Sequence, residues 1–386
     1  MKLFVIAGEP SGDALGGALM AGLKTLAPDT RFTGIGGPQM EAQGLSSLFP
    51  MDDLSVMGLA EILPKYFHLK RRIRETADAI AAEAPDAVIT IDSPDFCLRV
   101  LALARAKAPG LKTIHYVAPS VWAWRPGRAA KMARHVDHVL ALLPFEPPYM
   151  EAAGMTCDFV GHPIAAEPVA SVAEAQAFRA AHDIAPDAPL LLALPGSRRG
   201  EIERLGPVFS DTLARLSVPG LRVVIPTVPA RAEQVRALSH AWPGAPVILD
   251  AASTPPDIKR AAFRAADAAL AASGTVSLEL AAASTPMVIA YRMNALTSAI
   301  ITRMLRIDTV TLVNLVSESR AVPEFLGPDC RPDRIAPALQ GLLTDPAARA
   351  AQLEAMHLTM SRLGREGPPP GLRAAQSVLT ACALPA

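Results

Sequence analysis

Among the residue types in this chain that could do chemistry, the most suggestive group is Ile91-Asp92-Ser93-Pro94-Asp95-Phe96, two carboxylates directly behind an apolar run. A carboxylate at such a strand end can take the proton of a hydroxyl as its oxygen attacks carbon, provided the two groups come within hydrogen-bond reach. Asp92 stands nearer the apolar run and is the better candidate base; Asp95 equally suits capping of the helix that follows. A second group, Gly8-Glu9-Pro10-Ser11-Gly12-Asp13, ends the first apolar run and precedes the small residues Ala14-Leu15-Gly16-Gly17. Glycines there permit close backbone approach, and a helix N-terminus can hold an anion or polar sugar groups. Ser11 or Asp13 as a plain helix cap is the even alternative. The spacing is not the dinucleotide G-x-G-x-x-G.

Phosphate chemistry is suggested twice in the second half. Pro195-Gly196-Ser197-Arg198-Arg199-Gly200-Glu201 follows an apolar run, so amides at a helix start and an arginine fork would suit a diphosphate. It lacks the G-K-[ST] ending of a P-loop, and a solvated arginine pair is the plainer reading. Ser273-Gly274-Thr275 offers further donors, with Glu279 one helical turn on, where a carboxylate can accept both hydroxyls of a ribose. A threonine cap followed by an acidic residue is also ordinary helix grammar.

Two of the three tryptophans fall in Tyr116-Val117-Ala118-Pro119-Ser120-Val121-Trp122-Ala123-Trp124-Arg125. That cluster, with Tyr116, Ser120 and Trp122 as its candidate contacts, suits a wall for sugars or acyl chains and equally suits core packing under a loop. His115, His135 and His138 have no carboxylate at metal-ligand spacing and read as structural. The segment 54–74 mixes Met57, Leu63 and Phe67 with Lys70 and Arg71, as expected either of a surface lying on anionic membrane or of an amphipathic helix facing its own core.

These groups must be held by regular elements. Short apolar, often β-branched runs over 3–7, 31–35, 87–91, 113–117, 139–142 and 157–160 alternate with helical periodicity, the pattern of a parallel sheet covered on both faces. The rhythm stops at Gly161-His162-Pro163 and the Ala/Glu/Pro-rich stretch to Pro168, then restarts with runs over 190–194, 221–225, 247–249, 268–271 and 287–290. The expected organisation is therefore an α/β chain of two doubly wound domains, 1–165 and 166–345, with a helical tail over 346–386 packing on the first domain or on a partner subunit. A length of 386 residues suits two such cores.

Lys plus Arg equals Asp plus Glu at 37 each, so no general basic surface points to nucleic acid. The four cysteines are widely spaced and match neither a redox pair nor a zinc site, as expected of reduced thiols in a reducing compartment. Glu9 and Asp13 interrupt any leader-like start, and no stretch is long and apolar enough for a spanning helix, so neither export nor a transmembrane segment is expected.

Taken in order with Leu143-Pro144-Phe145-Glu146, these motifs closely resemble the lipid-A-disaccharide synthase family. The resemblance implies two Rossmann-like domains of GT-B type facing a cleft, the first binding acceptor and the second UDP-sugar. It implies an inverting transfer from UDP-2,3-diacylglucosamine to 2,3-diacylglucosamine 1-phosphate, forming a β-1′,6 disaccharide in lipid A biosynthesis. Asp92 would be the base. Ser197, Arg198, Ser273, Gly274, Thr275, Glu279 and Asn314 would serve UDP, and Glu9, Ser11, Gly12 and Asp13 would lie on the acceptor side. No D-x-D motif is present, so no metal and no cofactor are expected. The resemblance also implies a cytoplasmic enzyme at the inner face of a Gram-negative inner membrane and a homodimer that exchanges C-terminal parts. Two alternatives remain: a non-hydrolysing UDP-N-acetylglucosamine 2-epimerase, which needs no tryptophan loop or lipid-facing patch, and a non-catalytic UDP-sugar sensor, which leaves Asp92 without a task.

Overall fold

The computed structural model describes residues 1–54, 59–292 and 307–383, and for 59–65 the backbone alone. The chain divides into two units, one of residues 1–166 with 363–386, the other of residues 167–362.

In the first unit, strand β1 (Lys2–Ala7) is buried from Leu3 onward, yet its residues serve two cores. Leu3, Val5 and Ala7 join one apolar cluster, Phe4 and Ile6 the other. Alternation of side chains along a strand makes a continuous apolar run face both layers, which is why a doubly covered parallel strand shows no polar alternation. The sheet contains β2 (Arg31–Ile35), β3 (Ser46–Ser47), β4 (Ala87–Ile91), β5 (Lys112–Tyr116), β6 (His138–Ala141) and β7 (Thr156–Phe159). Its order is β3-β2-β1-β4-β5-β6-β7, with every pairing parallel. The direction of winding reverses between β1 and β4. Helix α1 (Pro10–Leu26) follows β1; after the short α2 (Pro38–Glu41) and the long α3 (Leu59–Glu83) comes α4 (Pro94–Lys107), directly behind β4.

The second unit repeats the plan. Strands β8 (Leu190–Leu194), β9 (Arg222–Thr227), β10 (Val247–Asp250), β11 (Ala268–Ala272), β12 (Met287–Tyr291) and β13 (Glu324–Leu326) form a parallel sheet in the order β10-β9-β8-β11-β12-β13. Its reversal lies between β8 and β11. The helix Arg199–Leu213 follows β8 and the helix Val276–Ala283 follows β11.

Sequence patterning finds 11 of these 13 strands to within a residue or two, three of them (β2, β4 and β8) with the observed bounds. It misses β3 and β13, which at two and three residues are too short to show a period. The expected tail over 346–386 divides: the helix Pro346–Arg362 lies in the second unit and only the chain from Leu363 lies in the first. There the helix Pro370–Ala383 packs on α1 at backbone distance, since a Cβ on Gly371 would stand 2.5 Å from the carbonyl oxygen of Ala18. A polar chain adds to this seat: Ser377 donates to Asp158 Oδ2 at 2.6 Å and lies 2.8 Å from His138 Nε2. Arg373 stacks on Phe159 and donates to its carbonyl at 2.9 Å.

Candidate functional site

In open α/β sheets, ligands bind beyond the carboxyl ends of the strands at the point where winding reverses. Both units have chemistry-bearing residues at that point.

In the first unit, β1 leads into Gly8-Glu9 and β4 into Asp92-Ser93. Asp92 (φ 52°) and Ser93 (φ 43°) both adopt left-handed conformations, and Val117 behind the neighbouring β5 does so as well (φ 84°). For a β-branched residue this is a genuine outlier, and such strain, of roughly 1–3 kcal/mol per residue, gathers at functional sites. The Asp92 amide donates to the Tyr116 carbonyl at 3.0 Å, so the turn away from the sheet begins only after a last ladder bond. Pro94 then opens α4 without forfeiting an amide the helix would have used. Gly8 leaves room for Ser93: a Cβ there would stand 2.8 Å from Ser93 Oγ, which would have to turn aside. Partial burial, followed by the charge of Asp92, raises the Glu9 carboxyl above the usual range. The result is a pair of half-buried carboxylates at adjacent strand ends, one of which holds a proton more readily than an ordinary glutamate.

Several expected members of this site are used elsewhere. Asp13 is 2% exposed, and its carboxylate accepts from the amides of Gly37, Gln39 and Met40 at 2.8, 2.9 and 3.0 Å, so it caps α2 and offers nothing to a substrate. Gly12 is buried against Ala7 and Ile91 and serves helix–sheet packing. Tyr116 is a core residue, 1% exposed, its hydroxyl pushed to a higher pKa by burial. Ser11 and Ser120 are exposed.

Trp122 is half-buried, edge-on to Phe145 with centroids 5.1 Å apart, and its Nε1 donates to Glu146 Oε1 at 3.3 Å. Glu146 also accepts from the amides of Leu142 and Leu143 at 3.2 and 3.0 Å. It is 3% exposed, and burial pushes its carboxyl up to about 7 against the pull of those donors. Patterning on the tryptophans overlooks this buried acid; the signal available was an unpaired glutamate inside an apolar stretch. On α3, Phe67 is 80% exposed beside the exposed Lys70 and Arg71. Arg72, by contrast, stacks on Phe49 and pairs with Asp53 and Glu75. Met57 and the side chain of Leu63 lie outside the described residues.

In the second unit, Ser197 and Arg198 follow β8 and are exposed, and the helix begins at Arg199. Behind β11, Gly274 takes a backbone turn (φ 157°) unsuited to other residues, and Gly274 and Thr275 are exposed, with Ser273 partly so. Glu279 pairs with Lys259 at 2.6 Å. Lys259 lies 20 residues before it in sequence, on the helix Pro256–Ala265, so no local spacing reveals the pair and only packing of their two helices joins them. Asn314 is not at this edge in a ligand-ready form. It is 1% exposed, donates to Thr309 Oγ1 at 3.1 Å and the Val322 carbonyl at 2.9 Å, and accepts from the Val322 amide at 3.0 Å. Two of these contacts tie down the loop before β13 and the third the segment leading into the helix Leu312–Ser317, so its amide is spent on structure.

Among the described residues no helix is long and apolar enough to cross a membrane. Comparison with known proteins agrees with this picture of two nucleotide-binding-type units. The profile of the family described as Lipid-A-disaccharide synthetase matches residues 3–367. The chain is 64% identical over 385 residues to the lipid-A-disaccharide synthase of Ruegeria pomeroyi, covering 98% of this chain and 95% of that one. Among solved structures it resembles a UDP-N-acetylglucosamine 2-epimerase of Listeria monocytogenes, described as putative, with a TM-score of 0.63 at 15% identity over 98% of this chain and 95% of that one. It also resembles a glycosyltransferase of Rickettsia africae, with a TM-score of 0.60 at 13% identity over 98% and 97%. At those identities the two structures speak for the fold alone, which is the GT-B architecture.

Proposed function

The chain belongs to the lipid-A-disaccharide synthetase family and is a glycosyltransferase, and from that premise we propose that Asp92 is the base for joining two acylated glucosamines. The donor is UDP-2,3-diacylglucosamine and the acceptor 2,3-diacylglucosamine 1-phosphate. The acceptor's 6-oxygen forms a bond to the donor's anomeric carbon from the face opposite UDP, the bond from that carbon to the diphosphate oxygen breaks, and configuration inverts. The hydroxyl proton passes to Asp92, and UDP carries away the bonding electrons.

The observation that carries this reading is the carboxylate pair at the winding reversal of the first sheet. Glu9, its carboxyl raised by burial and by its neighbour, adds a second polar group beside Asp92, which accepts the proton. Leaving-group charge is met in the second unit by the exposed Arg198 and by backbone donors at two helix starts, with Glu279 on the ribose and Lys259 fixing its carboxylate. The first unit then takes acceptor, with Ser11, Ser120 and Trp122 as the contacts still available, and the second takes UDP-sugar.

The exposed Phe67 with Lys70 and Arg71 supports attachment to an anionic membrane surface, the inner face of the inner membrane, where both lipids reside. In a dimer that exchanges C-terminal parts, the partner's closing helix would take the seat on α1.

The test is to incubate purified protein with both acylated glucosamines in detergent, with and without EDTA, beside Asp92→Asn. Disaccharide and UDP that form despite EDTA and vanish in the variant are expected. Unchanged turnover in Asp92→Asn would remove Asp92 from the mechanism, and no product from soluble lipids would overturn the substrate assignment.

A further inference from the structure

The backbone donors behind β8 already hold an anion, and it comes from the chain itself. Glu201 Oε2 accepts from the amides of Ser197 and Arg198, each at 3.3 Å, and its Oε1 lies 3.4 Å from Arg198 Nη1. The carboxylate is only 13% exposed while the Arg198 side chain is 73% exposed. Gly196 makes the room: with φ at 112° and no side chain, it admits a carboxylate whose Oε2 would stand 2.6 Å from an added Cβ. Glu201 is therefore folded back over the same loop amides and guanidinium that a diphosphate would need.

The lengths of these contacts matter. Charge-assisted hydrogen bonds to a carboxylate ordinarily run about 2.7–2.9 Å. All three here are longer, so the donors are occupied but poorly satisfied, and a ligand oxygen reaching ordinary distance would bond them better. The neighbouring cations do not relieve the competition. Arg199 is paired with Glu203 at 2.7 Å, and Arg204 donates to the Arg292 carbonyl at 3.1 Å.

We propose that Glu201 is a built-in occupant of the diphosphate seat, a carboxylate that holds the loop amides until a nucleoside diphosphate displaces it. It acts as a gating residue: every binding event first moves one negative charge off the helix start, and UDP affinity is lowered by that cost. The benefit is prompt release of UDP after transfer, because the carboxylate refills the seat as the product leaves. This rests on the reading of that loop as the UDP site given above.

The experiment is calorimetric titration of UDP into the wild-type chain, Glu201→Gln and Arg198→Ala. Glutamine keeps the size and removes the charge, so UDP should bind roughly fivefold more tightly, the scale of one charge at a helix start. Arg198→Ala should weaken it. If Glu201→Gln binds UDP equally or more weakly while Arg198→Ala still loses affinity, Glu201 is a helix cap or loop positioner and the gating role is overturned, with the UDP site intact. If the wild type binds UDP and Arg198→Ala leaves its affinity unchanged, the site reading itself fails and takes the inference with it. Should Glu201→Gln melt below assay temperature, Glu201→Asp serves: it keeps a charge in the first turn but withdraws it by one methylene, and it too should tighten UDP.

Discussion

The two units share one winding plan and differ in what they set at its point of reversal. Beyond β1 and β4 the first unit gathers carboxylates, Glu9 and Asp92, on a backbone held in left-handed conformations. Beyond β8 and β11 the second gathers exposed amides, hydroxyls and Arg198, with a carboxylate of its own folded over part of them. The same topology thus offers a proton acceptor in one place and anion donors in the other. The fold supplies the position, and the few residues after each strand supply the sign of the charge.

That contrast can be broken most sharply at Asp92. Asp92→Asn should cut disaccharide formation about 10³-fold, within the range of general base catalysis, while calorimetry with UDP stays unchanged. Equal loss of UDP binding would dissolve the division of labour. Next in size is a residue that looked like part of the acceptor site and is structural. Asp13→Ala should lower unfolding free energy by about 3 kcal/mol in urea titration, since three amides, two of them buried, lose a charged acceptor. A variant of wild-type stability with impaired acceptor use would return Asp13 to the site.

Glu146 sharpens the comparison through pH. Its folded pKa, about 7, lies above the unfolded value, so its contribution is fully present below about pH 4.5 and is lost as pH rises through 7. Wild-type stability should therefore fall between pH 5 and pH 8 by up to about 3 kcal/mol relative to Glu146→Gln. Parallel pH profiles of the two proteins would show that the buried carboxyl does not titrate in this window. The smallest effect falls in the second unit: Arg198→Ala should raise the Michaelis constant for donor roughly tenfold, as expected for one charged contact. A loss of turnover as large as that of Asp92→Asn would make the arginine part of the bond-breaking step.

Strand ends were legible because a buried parallel strand must be apolar on both faces and must stop at turn residues. Asp92, Glu9, Arg198 and Thr275 could be singled out that way. Asp13, Tyr116 and Asn314 could not be separated from them, because a motif position does not reveal whether a side chain turns toward solvent or toward its own backbone. Asp13 sits four residues from Glu9, yet helical rotation carries it inward to α2. Glu146, Glu201 and Lys259 were hidden for a different reason: each matters through a partner that only the folded chain brings near.

The amino-acid sequence by itself determined the two α/β halves, the break near residue 166 and the identity of the motifs, since periodicity, turn chemistry and charge are local properties. Only the tertiary structure decided which strands became neighbours, and so which motifs met. The pairing of β1 with β4 and of β8 with β11 joins segments about 80 residues apart in each unit. It also decided which polar groups stayed free. A buried amide or carboxyl must find a partner or lose stability, so packing consumed Asp13, Asn314 and Glu146 and left Asp92 and Arg198 accessible.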